Sequence, residues 1–167
     1  GATGYGGLEL IRFLHNHKEM AELHLFTSSE EGVSFSQKFG HLTHIVDHTL
    51  QKIDNDVLAE LDVVFTSTPA GVASKLMPSL IGKGPKLIDL SGDFRLKDST
   101  LYEKWYNKPA ADAKAVAQSV YGLTEWNATA VKDAALIANP GCYPTATLLS
   151  VLPLIKHKLI DPSYLIV

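Results

Sequence analysis

Cysteine is nearly absent: Cys142 is the only one in 167 residues. One thiol cannot close an internal disulfide, so a disulfide-stapled secreted fold is excluded. Long apolar runs are missing too. The longest falls far short of the ~20 residues a membrane helix needs, and no signal-peptide pattern opens the chain. There is no basic run, and the formal net charge is −3, so neither nucleic acid nor an anionic membrane is an expected partner. No Cys/His cluster has the spacing of metal ligands. Repeats and low-complexity linkers are also lacking. What remains is ordinary: 46% hydrophobic and 20% charged residues, enough to build a core in one domain with the start of a second.

The apolar pattern alternates between strand and helix. Helical spacing is expected over 8–17, where Leu8, Ile11 and Leu14 share a face. Strands are expected over 22–27, 62–67, 86–90 and 135–138, the second (DVVFTS) reading as a buried parallel strand. The polar segment 28–40 reads as loop or weak helix and 43–49 as an extended piece. Helices follow over 71–81, despite Pro78, and over 144–157, where Pro153 is a kink point. A loop leads into a short helix across 91–106, and a last strand begins at 164–167. This order implies right-handed βαβ units, hence a Rossmann-like, doubly wound, mostly parallel α/β sheet. A first strand of roughly 5–6 residues is expected before Gly1. Residues 1–142 are expected to form the nucleotide-binding domain and 143–167 to lead into a second, α+β domain.

Gly1, Gly4 and Gly7 space the opening segment G-A-T-G-Y-G-G. Bare backbone there lets the chain turn tightly, approach a pyrophosphate and aim helix N–H groups at it. The next expected strand ends in Thr27-Ser28-Ser29. An acidic residue at that point marks NAD, whereas hydroxyls leave room for a 2′-phosphate, so NADP(H) is the expected cofactor. Glu30 and Glu31 lie close behind, and no arginine stands in the loop.

Asn139-Pro140-Gly141-Cys142-Tyr143-Pro144-Thr145 stands between an apolar strand and a helix. A lone cysteine is usually a small buried hydrophobe. Here Pro and Gly fix a sharp turn, Pro144 suits a first helical turn, and the thiol is expected at a helix N-terminus. Free N–H groups and the helix dipole favour a thiolate there.

With these motifs in view, the chain resembles the N-acetyl-gamma-glutamyl-phosphate reductases, arginine-biosynthesis enzymes related to the aspartate-semialdehyde dehydrogenases. The resemblance runs over nearly the whole sequence. It rests on GATGYGG (1–7), DLSGDFRL (89–96), YEKWY (102–106), YGLTEW (121–126) and NPGCYPTAT (139–147). It implies that Cys142 is the nucleophile and that Arg95, with Ser91 beside it, holds the substrate phosphate. A guanidinium suits that task through its paired donors. Thr3, Gly4, Tyr5 and Gly6 match the pyrophosphate turn begun by Gly1. Thr68 and Pro69 match a loop along the cofactor, with Ser28 at the ribose end. Tyr121 and Glu125 match the active-site side. Ala70 stands where the family often has histidine. The family's catalytic histidine lies downstream of the region covered, and the seven histidines present match no catalytic motif.

The activity so implied is NADPH-dependent reduction of N-acetyl-gamma-glutamyl phosphate to the semialdehyde through a cysteine thioester, in a cytoplasmic homo-oligomer without metal. The alternatives are the same chemistry on aspartyl phosphate or a carrier-bound amino-acid phosphate, and a non-catalytic domain that senses NADP(H).

Overall fold

The computed structural model describes residues 1–166. Its first helix, α1 (Tyr5–His15), starts three residues before the expected span because the glycine turn itself winds into helix. Ile11 is buried and Leu8 packs beside it, the inward face that the i, i+3 spacing requires. The expected strand at 22–27 shortens to β1 (Phe26–Thr27). It pairs in parallel with β2 (Gln51–Lys52), which lies beyond the segment expected to be extended. That segment, 43–49, contributes only one antiparallel bridge, Ser34 to Thr49. The polar stretch before it forms α2 (Phe35–Lys38) and a 3-10 turn at Gly40–Leu42. Leu25, Phe35, Val46 and Leu50 close a first core under α1.

The second sheet carries the site. After α3 (Asn55–Ala59) come β3 (Val63–Thr66), α4 (Ala73–Leu76), β4 (Lys86–Asp89), α5 (Ser99–Tyr106), α6 (Ala113–Gln118), β5 (Val120–Tyr121), α7 (Thr124–Asp133), β6 (Leu136–Ala138) and α8 (Cys142–Lys156). Strand order is β3-β4-β6-β5, and every pair is parallel. The α/β, Rossmann-like reading therefore stands. Parallel pairing requires helical crossovers, which supply the layers on the sheet. Val64, Leu87 and Leu136 meet Met77, Leu80 and Phe94 in the larger core. Leu87 and Met77 are wholly buried, each stabilising the fold by about 1.5–3 kcal/mol relative to exposure.

Several expectations need correction. The helix expected over 71–81 is only four residues of α-helix, then a 3-10 turn at Met77–Ser79, because Pro78 lacks the N–H that would continue it. The helices α3, α6 and α7 and the strand β5 were not expected. α8 begins at Cys142 rather than at 144, since Pro144 sits where no intrahelical N–H is needed. It runs through Pro153 to Lys156, and none of its residues is buried. The strand expected at 164 is a 3-10 turn at Pro162–Tyr164; Val167 lies outside the described residues. No described helix is long and apolar enough to cross a membrane.

Candidate active site

Register aligns the carboxyl ends of the second sheet. Thr66 stands opposite Asp89, Asp89 opposite Ala138, and Tyr121 opposite Ala138. The loops carrying Thr68, Arg95, Glu125 and Cys142 therefore all leave one edge, where open α/β sheets place their ligands. Backbone bonds tie these loops together just past the strands. Leu90 N–H donates to Thr66 O at 2.8 Å, Asn139 N–H to Asp89 O at 2.8 Å, and Gly122 N–H to Ala138 O at 2.9 Å.

The glycine turn packs against the same edge. A Cβ on Gly6 would stand 2.7 Å from Ser67 Oγ, and one on Gly7 would stand 2.3 Å from Gly1 O. Only hydrogen fits at Gly7, which faces backbone, while at Gly6 the Ser67 hydroxyl would have to turn away. Gly4 is the N-cap of α1, extended at φ −86° and ψ 165°, and no side chain caps it. The amides of the first turn thus face outward for an external anion. Tyr5 is almost fully exposed beside them, and Thr3 is half-buried. Next to Ser67, Thr68 has a buried hydroxyl with no hydrogen-bond partner, and Pro69 is exposed. An uncapped helix start, a cradle that side chains would fill and an orphaned hydroxyl fit a dinucleotide. Ser28 is exposed just past β1. Nearby, Glu30 is held by Lys38 Nζ at 2.5 and 2.7 Å, a cation from α2 rather than an arginine of the loop.

Cys142 is exposed and is the first residue of α8. Gly141 caps it in extended conformation, again without a side-chain cap, and Thr145 N–H and Oγ1 donate to Gly141 O at 3.0 and 2.9 Å. Arg95 is half-buried. Its Nε donates to Asn139 O at 2.7 Å and its Nη2 to Leu90 O at 2.8 Å. Arg95 and the cysteine turn are thereby brought together. Glu125 is exposed in the first turn of α7, on the same edge. Burial raises the half-buried Tyr121 phenol above its ordinary value, opposed by the positive charge of Arg95.

Beneath the edge lies a polar network that sequence reading missed. The buried Asp89 carboxylate accepts from Thr66 Oγ1 at 2.7 Å, Ser91 N–H at 2.9 Å and Ser91 Oγ at 2.8 Å. Burial raises its pKa, the three hydrogen bonds oppose that shift, and Asp93 adds to it. Ser91 is buried and its single hydroxyl proton is committed to Asp89. Asp93 is also buried. It accepts from Gly71 N–H at 2.8 and 2.9 Å, Ser74 N–H at 2.8 Å and Tyr102 Oη at 2.8 Å. Burial, then donation to Asp93, pushes the Tyr102 phenol upward. One carboxylate thus fixes the loop after Thr68 to the loop before Arg95. The histidines stand apart from this network: His24 pairs with Glu22, His44 with Asp47, and His157 caps the end of α8. Among the described residues no cluster could hold a metal ion.

Comparison with known proteins identifies the family and the fold. The family described as semialdehyde dehydrogenase, NAD binding domain, matches residues 1–134. N-acetyl-gamma-glutamyl-phosphate reductase of Geobacillus sp. (strain WCH70) is 52% identical over 168 residues, covering 100% of this chain and 49% of the relative. That of Halalkalibacterium halodurans is 47% identical with the same coverage. The chain therefore spans about half the length of these relatives. The crystal structure of aspartate semialdehyde dehydrogenase II from Vibrio cholerae, complexed with ASA, shares the fold. Its TM-score is 0.63 at 20% identity, over 93% of this chain and 44% of that one. By sequence, the chain belongs to the semialdehyde dehydrogenase family, and residues 1–134 match its NAD-binding domain.

Proposed function

We propose that this chain is the cofactor-binding, nucleophile-bearing part of a cytoplasmic N-acetyl-gamma-glutamyl-phosphate reductase that uses NADPH. The observation that carries the reading is Cys142, exposed at the uncapped start of α8 on the edge shared with the glycine turn. The relatives named above support the choice of acyl phosphate. NADP(H) is supported by the exposed Ser28 at the end of β1 and by Glu30, whose charge is neutralised by Lys38. The α8 surface, with no residue buried, supports burial against further structure in an oligomeric enzyme.

The Cys142 thiolate attacks the acyl-phosphate carbonyl carbon. A C–S bond forms, the C–O bond to phosphate breaks, and inorganic phosphate leaves with the electron pair, its charge met by Arg95. Amides at the start of α8 face the oxyanion of the tetrahedral state. Gly1, Thr3, Gly4, Tyr5 and Gly6 would hold the pyrophosphate of the dinucleotide, with Thr68 and Pro69 as further cofactor-binding residues. When bound, reduced nicotinamide supplies the hydride that takes the thioester to the aldehyde level. Ser91 holds Asp89 and the Arg95 loop in place, and Glu125 lines the substrate side. Collapse of the thiohemiacetal breaks the C–S bond, frees the semialdehyde and restores Cys142.

The test is the full-length protein with NADP+, phosphate and N-acetylglutamate semialdehyde, followed by absorbance of NADPH. Phosphate-dependent NADPH formation that disappears in Cys142→Ser is expected. Activity retained in that variant, or seen only with aspartate semialdehyde, would overturn the nucleophile or the substrate respectively.

A further inference from the structure

The Arg95 guanidinium spends two of its three nitrogens on the protein itself. Nε reaches the carbonyl of Asn139, and Nη2 reaches back to that of Leu90. Those carbonyls belong to loops leaving β6 and β4, so one planar group stitches the two loops at about a right length for each. The third nitrogen, Nη1, lies beside Gly141: a Cβ built there would stand 3.3 Å from it and 3.4 Å from Pro144 Cδ. Gly141 is in turn held from the helix side by Thr145 N–H at 3.0 Å. The turn that presents Cys142 is therefore pinned at Asn139 by Arg95 and at Gly141 by its own helix. Among the described ion pairs none involves Arg95, whose positive charge stays free for an anion.

We propose that Arg95 is a positioning residue for Cys142: through Asn139 it sets the angle of the cysteine turn, whether or not phosphate is bound. A flat fork with donors along two directions can span two carbonyls, which the single ammonium of lysine cannot do. The inference rests on Cys142 being the nucleophile, but its test needs no turnover.

The test is alkylation of Cys142 by iodoacetamide in the full-length protein, without phosphate, substrate or cofactor, in wild type, Arg95→Lys and Gly141→Ala. Iodoacetamide is neutral, so the phosphate contact plays no part, and lysine retains the charge. Arg95→Lys is expected to alkylate severalfold more slowly, since a turn freed from its bond at Asn139 no longer holds the sulfur exposed at the start of the helix. Gly141→Ala, which crowds Nη1 but leaves Arg95 and its charge intact, is expected to slow the reaction in the same direction, and it decides alone if the arginine variant does not fold. Alkylation at the wild-type rate in the folded variants would overturn the proposal and leave Arg95 only its phosphate contact. A wild type that alkylates readily yet reduces no acyl phosphate would instead count against the reductase reading.

Discussion

Arg95 and Asp89 each hold separate loops together at the sheet edge through hydrogen bonds. Arg95→Ala removes the stitch to Asn139 together with the phosphate contact proposed for it. A charge-assisted hydrogen bond to phosphate contributes about 1.5–3 kcal/mol. The KM for phosphate in the reverse reaction should therefore rise about 10- to 100-fold, while the NADP+ dissociation constant changes far less. Equal losses for both ligands would count against the assignment. Asp89 is a buried carboxylate whose neighbours are hydroxyls and an amide rather than a cation. Burial raises its pKa above the ordinary 3.8, so the folded state binds this proton more tightly than the unfolded one. Stability from this group is present at low pH and is lost as pH rises from 3.8 through the folded value. Melting curves of wild type and Asp89→Asn across that window should show the wild type gaining on the variant as pH falls. A constant difference would mean that Asp89 does not titrate there. None of this was legible in the residue string. D-L-S-G-D-F-R-L marks Arg95 by its resemblance, but Asp93 finds its amide partners 19 and 22 residues upstream, at Ser74 and Gly71.

At the scale of elements, β4 is the hinge of the site because it lies between β3 and β6 and delivers both Asp89 and the Arg95 loop. Leu87 is its wholly buried apolar member. Leu87→Ala should cost about 2–5 kcal/mol by lost transfer energy and the cavity left behind. Val63→Ala on β3, where the residue is 41% exposed, should cost less, since a smaller side chain is cut back and part of its surface stays in water in the folded state. Denaturant midpoints of the two variants measure the difference, and equal shifts would show that β4 is not the structural centre. The continuous apolar runs made β3, β4 and β6 readable. β5 is two residues long and exists only through its pairing with β6, so no local pattern announces it. α7 buries none of its residues, so its sequence carries no apolar stripe to read. Pro78 was visible, and its effect on α4 is the penalty expected of a missing N–H.

For the whole molecule, cofactor choice is the property that depends on the most distant parts, because β1 belongs to a different sheet from the one that delivers Cys142. Ser28 and the Glu30–Lys38 pair lead to the expectation that kcat/KM is higher for NADPH than for NADH, and steady-state rates with each cofactor measure it. A preference for NADH would show that Glu30 serves the ribose hydroxyls instead. Composition, strand-helix alternation and two local turns were enough to determine the α/β class, the glycine cradle and the place of Cys142 at a helix start. Each of these depends on residues that are neighbours in the chain: Gly7 on Gly1, Pro144 on Cys142. Tertiary structure alone decided which loops meet. The parallel register lines up Thr66, Asp89 and Ala138, and only then can Arg95 reach Asn139 across 44 residues. Hydrogen bonds between distant segments gain their energy after the loops between them are closed, so their partners are set by the packed sheet and not by spacing along the chain.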